Sequence, residues 1–180
     1  MHIMYSCRGE KAMYEQIIEN VIDEFLVGNA RKNALEFTQY LRSNEMLFER
    51  EKGYWEDKYY WGIKYNDEYV CFILINNEEK TDPESWTIWS DDSCANTFGD
   101  SSTDEKVKEI IWKHVVVCDN IDRCFDGCKR SRKTILGKEF DNVCGTAIKF
   151  ENPNDITVEG MKKMIEIRKN DILGRSDKRH

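Results

Sequence analysis

The chain has 180 residues, of which 40% are apolar and 12% aromatic, and its formal net charge is −7 at pH 7. This length and apolar content predict one domain with a sizeable hydrophobic core. The negative charge disfavours a protein that coats nucleic acid nonspecifically, because such binding depends on many lysines and arginines.

The chain has seven cysteines, an odd number, and its N-terminus lacks the apolar stretch of a signal peptide. Both features predict a cytoplasmic protein whose thiols are free or bound to metal. No segment approaches the roughly 18 apolar residues of a membrane span. We expect residues 1–174 to form a single α+β domain and residues 175–180 to form a mobile charged tail.

Two helices are predicted at the start of the chain. Apolar residues recur at helical spacing from Glu10 to Leu26, and Gly28 is expected to end this helix. Asn29 is a candidate N-cap for a second helix, which ends at Ser43 and Asn44. The predicted core side of this second helix comprises Ala34, Phe37, Thr38 and Leu41.

Strands are predicted in the middle of the chain, where aromatic and β-branched residues are frequent. The segments from Lys58 to Tyr65 and from Tyr69 to Ile75 flank a short polar turn and form a hairpin. A third strand runs from Trp86 to Ser90.

The second half of the chain is predicted to contain two helices and one strand. Ser102 and Glu105 have the spacing of a capping box, and the helix that they open is expected to end near Asp119. A strand follows from Val143 to Phe150, and a last helix after Pro153 ends at Gly174. Its apolar stripe comprises Val158, Met161, Ile165, Arg168 and Ile172. The predicted fold is α+β, with an antiparallel sheet of about four to five strands and helices packed mainly on one face.

The aromatic hairpin from Tyr60 to Ile75 and the last quarter of the chain, GTAIKFENPNDITVEGMKKMIEIRKNDI, have a recognisable order of elements. Together they cover roughly half of the chain, and this order resembles that of the small YdhG-like proteins, which are sometimes labelled iron chaperones. The resemblance implies an α+β fold. The biochemistry of that family is mostly unproven, so the resemblance assigns no functional residue.

One histidine and three cysteines are spaced as a possible metal site: His114, Cys118, Cys124 and Cys128. On the predicted helix His114 and Cys118 would lie one turn apart on the same face, and the two later cysteines would return from a loop. A Cys3His set suits a structural zinc ion, and Cys144 is a substitute ligand. The competing interpretation places His114 and Cys118 in the hydrophobic core.

Large rings in and beside the middle strands predict an aromatic cleft, because apolar walls with a few polar groups are typical of small-molecule pockets. A carboxylate at a strand end could orient a cationic or hydroxylated ligand there. The competing interpretation is an ordinary aromatic core. The predicted ligand-binding residues are Trp55, Tyr59, Trp61, Tyr65, Trp86, Trp89 and Asp91.

These patterns favour a non-enzymatic binding domain for a small molecule or a protein partner, with zinc as a structural ion. One alternative is an enzyme that uses His114 and Cys118 together with carboxylates of the cleft. Another is an interaction protein that binds an acidic partner through the basic run from Lys129 to Lys133, which is predicted to be a loop.

Overall fold

The computed structural model of the chain describes residues 17–51, 58–76, 85–91, 97–99, 103–118 and 130–176. These residues form four helices and seven strands, which confirms the α+β prediction. The elements in chain order are α1 (Ile18–Phe25), α2 (Gly28–Ser43), β1 (Leu47–Glu51), β2 (Lys58–Tyr65), β3 (Glu68–Asn76), β4 (Trp86–Ser90), α3 (Glu105–Trp112), β5 (Val115–Val117), β6 (Ser131–Ile135), β7 (Lys138–Glu151) and α4 (Asp155–Ser176).

The strands form one antiparallel sheet in the order β1-β2-β3-β4-β7-β5, and β6 also pairs with β7. The antiparallel arrangement was predicted, but the seven strands exceed the predicted four to five. The three additional strands are β1, β5 and β6. The long strand β7 joins the two parts of the sheet, because it pairs with β4 near its end and with β5 and β6 before that.

Strand β5 replaces the second half of the predicted third helix. Helix α3 ends at Trp112, and three consecutive valines then form β5. Valine side chains are branched at Cβ, which restricts χ1 in a helix and suits an extended strand. The helical spacing of apolar residues therefore predicted the wrong secondary structure beyond Trp112.

Strand β6 replaces the predicted basic loop. The turn from β6 to β7 consists of Leu136 and Gly137, with φ angles of 50° and 81°. Two successive residues with positive φ are typical of the tight turns that connect antiparallel strands. The amide of Leu136 also donates to the carbonyl of Phe98 at 2.7 Å, which ties this turn to the rest of the protein.

The helices bury the apolar stripes that their spacing predicts. The predicted side of α2 is buried throughout, and so is the predicted stripe of α4, including Arg168. Gly28 does not end the first helix as predicted, because α1 ends at Phe25 and Gly28 is the first residue of α2. Among the described residues, no helix combines the length and the apolar character that a membrane crossing requires.

Helices α1 and α4 contact the same face of the sheet, which we call the helix face. Phe25 of α1 packs on Tyr59 of β2, with ring centroids 5.0 Å apart. Lys169 of α4 places its Nζ 4.7 Å from the ring centroid of Tyr65. Tyr59 and Trp61 lie on this face, and the cross-strand partners of these two residues are Ile75 and Ile73. We call the opposite side of the sheet the outer face.

A buried serine stabilises an irregular part of β7. Ala147 has a φ angle of 46°, which is rare for alanine and interrupts the regular strand. The hydroxyl of Ser90, fully buried in β4, donates to the carbonyl of Thr146 and accepts from the amide of Ile148 at 3.1 Å. Ser90 therefore provides hydrogen bonds to the backbone on both sides of the irregular residue.

The guanidinium of Arg168 links α4 to the sheet. Its side chain is 1% exposed, and its Nε donates to the carbonyl of Tyr69 in β3 at 3.0 Å. Its Nη2 pairs with Asp91, directly after β4, at 3.1 Å, and its Nη1 pairs with Asp171 at 3.0 Å. Nη2 also lies 3.7 Å from Glu68. A buried cation is costly unless several partners compensate it, so these contacts hold α4 at one position on the sheet.

Arg168→Met should lower the free energy of unfolding by about 3–5 kcal/mol, because it leaves partly buried carboxylates without their cation. Urea unfolding monitored by circular dichroism measures this change. The matched control is Arg31→Met, since Arg31 and Asp23 form an ion pair that is about half exposed on both sides. This control should change stability by less than about 1 kcal/mol. Equal losses in the two variants would contradict the role of Arg168.

Trp61→Ala should lower the free energy of unfolding by about 3–5 kcal/mol, because Trp61 is 2% exposed and the change leaves a cavity in the core. Trp89, which is partly exposed on the outer face, provides the comparison. Trp89→Ala should cost less than half as much in the same urea experiment. A larger loss for Trp89 than for Trp61 would contradict the assignment of the two faces.

Candidate functional site

His114 and Cys118 do not form the predicted pair on a helix face. His114 lies in the turn after α3, and Cys118 directly follows β5. Residues in a strand advance about 3.3 Å each, against about 1.5 Å in a helix, so β5 separates the two side chains along the chain. The helical geometry predicted for a shared metal ion, and for a catalytic Cys/His pair, was therefore wrong.

The rest of the predicted zinc site is only partly described by the structure. Cys124 and Cys128 are outside the described residues. Cys144, the substitute ligand, is in β7, where its Sγ accepts from the hydroxyl of Thr146 at 3.6 Å. Within the described ranges, no three His, Cys, Asp or Glu side chains are grouped as a metal site. A zinc ion held by the complete set stays a prediction.

Two of the predicted ligand-binding rings hold a cation of the protein itself. The guanidinium carbon of Arg50 lies 4.5 Å from the ring centroid of Tyr59 and 4.6 Å from that of Trp61. Burial lowers the pKa of Arg50, although the pKa of a guanidinium starts so high that the group stays charged. These two rings therefore hold Arg50 by the cation–π interaction that the sequence suggested for a ligand, and the contact stabilises the pairing of β1 with β2.

The other predicted residues of the cleft are also separated. Trp86 is 1% exposed in the core, and Tyr65 carries Lys169 over its ring. Asp91, which was predicted to orient a cationic ligand, pairs instead with Arg168. Trp55 lies outside the described residues. Among the described residues of the predicted set, only Trp89 contacts other rings on the outer face.

Four partly exposed rings form a continuous cluster on the outer face, which we call the outer ring cluster. Tyr60 and Phe72 are nearly parallel, with centroids 5.6 Å apart and an interplanar angle of 5°. Trp89 meets Tyr60 edge-on at 6.2 Å, and Tyr69 meets Phe72 at 5.0 Å. The cluster thus spans strands β2, β3 and β4, and its rings are all partly exposed.

A glycine makes room for one end of the outer ring cluster. A Cβ at Gly62 would lie only 2.5 Å from Cε1 of Tyr69, so the ring of Tyr69 rests against the backbone of β2. The hydroxyl of Tyr69 donates to Glu51 at 2.6 Å, and this hydrogen bond raises the pKa of Tyr69. Lys64 lies 4.5 Å from the centroid of the Tyr69 ring and pairs with Glu49. Charged groups at this end are therefore already paired within the protein.

Burial raises the pKa of Tyr60, in the centre of the outer ring cluster, to about 12. Its hydroxyl is consequently neutral at physiological pH, and it can both donate and accept a hydrogen bond. The centre of the surface thus offers ring faces and one neutral hydroxyl, a combination that suits a planar and largely uncharged part of a ligand.

The other end of the outer ring cluster adjoins a cavity of about 420 Å³. Lys149 faces outward beside Trp89, its cross-strand partner, and its Nζ lies 5.6 Å from the centroid of the Trp89 ring. Lys149 also forms an ion pair with Glu151. The cavity is lined by Lys113, His114, Val115, Val116, Lys149 and Glu151. Lys149 therefore borders both the Trp89 ring and the cavity.

His114 lines this cavity with its ring against Phe150, at a centroid distance of 4.4 Å. Burial lowers the pKa of His114 from its usual value, and this effect exceeds the opposing effect of a hydrogen bond with the backbone of Lys149. The imidazole is therefore mainly neutral at pH 7, with one donor and one acceptor nitrogen. Lys113 is exposed, and the described residues provide it with no ion pair.

The predicted basic loop is largely a strand. Residues from Ser131 onward form β6, and Arg132 pairs with Asp141 of β7 at 2.7 Å. Arg130 is exposed just before the strand, and Lys129 lies outside the described residues. The prediction of a loop was wrong for Ser131 to Lys133, which lie in β6.

The predicted ligand-binding set leaves out three members of the outer ring cluster: Tyr60, Tyr69 and Phe72. Alternation along β2 separates Tyr60 from Tyr59 and Trp61, so the signal for two aromatic faces was present in the hairpin. Alternation within one strand does not show which of its two faces the helices cover. The positions of the helices are needed to decide which rings stay on the outer face.

Comparisons with known proteins give no relative from which a function could be transferred. No family model, no curated protein and no solved structure matches this chain. The resemblance to YdhG-like proteins therefore stays a prediction, and the candidate site is identified by its own geometry.

Proposed function

We propose that this protein is a binding module that holds a planar small molecule on the outer ring cluster. The observation that carries the proposal is the continuous set of rings from Tyr69 through Phe72 and Tyr60 to Trp89. Rings of this kind add about 0.5–1.5 kcal/mol per aromatic contact beyond the burial of apolar area. A flat ligand that covers several of them gains this contribution more than once.

The adjoining cavity supports a small ligand in particular. Its volume of about 420 Å³ lies within the range of about 300–1,000 Å³ that is typical of small-molecule sites. A flat ligand that lies on the rings can place a substituent there. The site thus combines an apolar surface with a few polar groups at one end, as small-molecule sites generally do.

Charge favours a small molecule over single-stranded nucleic acid as the occupant. Nucleic acid sites also combine rings with lysines, but they need a basic groove that follows many phosphates. Lys64 and Lys149 beside the rings are each paired with a glutamate, and the chain carries a net charge of −7. A long polyanion would gain little here and would be repelled elsewhere.

Trp89→Leu should weaken the binding of phenylnaphthylamine, a neutral planar probe, by about three- to tenfold, because one aromatic contact is lost. Probe fluorescence during titration with protein gives the dissociation constant. Tyr65→Leu is the matched control, since it removes a partly exposed ring from the helix side of the same sheet. This control should leave probe binding within a factor of two.

Two results would contradict the proposal. One is an absence of saturable probe binding to the folded wild-type protein, with folding verified by near-ultraviolet circular dichroism. The other is an equal loss of affinity in Trp89→Leu and Tyr65→Leu. A labelled oligothymidylate that binds more tightly than the planar probe would identify the rings as a nucleic acid site instead.

A further inference from the structure

We infer that the ligand of the outer ring cluster carries an acidic group, which Lys113 holds in the cavity beside Lys149 and His114. This inference rests on the proposed function and adds the chemical class of the ligand. The ring system of the ligand lies on Trp89 and the neighbouring rings. Its carboxylate, sulfonate or phosphate lies in the cavity.

The charges around the cavity support an acidic group. Its lining contains two lysines and one glutamate, namely Lys113, Lys149 and Glu151. Glu151 pairs with Lys149, which leaves the ammonium of Lys113 as the uncompensated charge among the described lining residues. A local positive charge on a protein with a net charge of −7 marks this place as one that attracts an anion.

The imidazole of His114 borders the acidic group without donating to it. Its ring is packed on Phe150, and a hydrogen bond with the backbone of Lys149 engages the ring. The acidic group is therefore held by the charge of Lys113 in the cavity lining. The opposite end of the outer ring cluster is different, because Glu49 there already pairs with Lys64 and Glu51 accepts from the hydroxyl of Tyr69.

The position of Lys149 connects the cavity to the rings. Its Nζ lies over the Trp89 ring and its side chain lines the cavity, so one residue borders both parts of the site. A ligand with a ring and an acidic substituent can therefore contact Trp89 and the lysines at the same time. A neutral ligand would use the ring surface alone.

The test compares two probes that share one ring system: neutral phenylnaphthylamine and its sulfonated form, anilinonaphthalene sulfonate. The sulfonated probe should bind the wild-type protein about fivefold more tightly, which is the size expected for partly exposed charge pairs. Lys113→Gln should remove most of this preference and leave the affinity for the neutral probe unchanged. Raising the salt concentration should weaken only the sulfonated probe.

Lys64→Gln is the matched control, because it removes the same charge at the opposite end of the outer ring cluster. The preference for the sulfonated probe should survive in this variant. Equal affinities for the two probes in the wild-type protein, or equal effects of the two lysine variants, would overturn the inference and leave the proposed function standing. An unchanged affinity of Trp89→Leu for the neutral probe would overturn the proposed function itself.

Discussion

The buried guanidinium of Arg168 is the interaction on which the arrangement of this protein depends. Its partners come from β3, from the residue after β4 and from α4 itself, so one side chain fixes the last helix relative to the sheet. The contacts of Arg175 with Glu68 and Asp171, at 2.7 and 3.2 Å, extend the same network by two turns of α4. Because α4 lies on the helix face, the rings of the opposite face are available for another role.

The two faces of the sheet use their aromatic residues differently. On the helix face, Tyr59 and Trp61 enclose Arg50, and Lys169 covers Tyr65. These internal cations occupy the places that a cationic ligand would take. On the outer face the rings contact one another, and among the described residues that line the adjoining cavity Lys113 is the charge without an ion pair. The proposed site therefore lies on the other side of the hairpin from the predicted one, and the proposed ligand is acidic rather than cationic.

Sequence patterns predicted the long regular elements well, because each buries one periodic stripe. The stripe of α4 from Val158 to Ile172 is buried as expected, and the hairpin of β2 and β3 turns at Asn66 and Asp67, both with positive φ. The short strands were missed for specific reasons. The valines of β5 continue the helical spacing of α3, and the charged residues of β6 form a strand only because β7 pairs with them.

The candidate site was harder to predict than the fold. Alternation separates Tyr59 from Tyr60, but it does not show which of the two faces the helices. Asp91 looked available for a ligand, and its partner Arg168 lies 77 residues further along the chain. His114 was predicted beside Cys118, but its neighbours in the cavity lining are Lys113, Lys149 and Glu151. Such long-range neighbours depend on the packing of whole elements, which local patterns do not specify.

The most direct test of the account is a nuclear magnetic resonance titration of the ¹⁵N-labelled protein with phenylnaphthylamine. The indole N–H signal of each tryptophan reports on one location, and Trp89 lies on the outer face whereas Trp61 and Trp86 are buried in the core. The account predicts that the Trp89 signal shifts with saturation while those of Trp61 and Trp86 stay in place. Shifts of Trp61 and Trp86 with an unmoved Trp89 would contradict it.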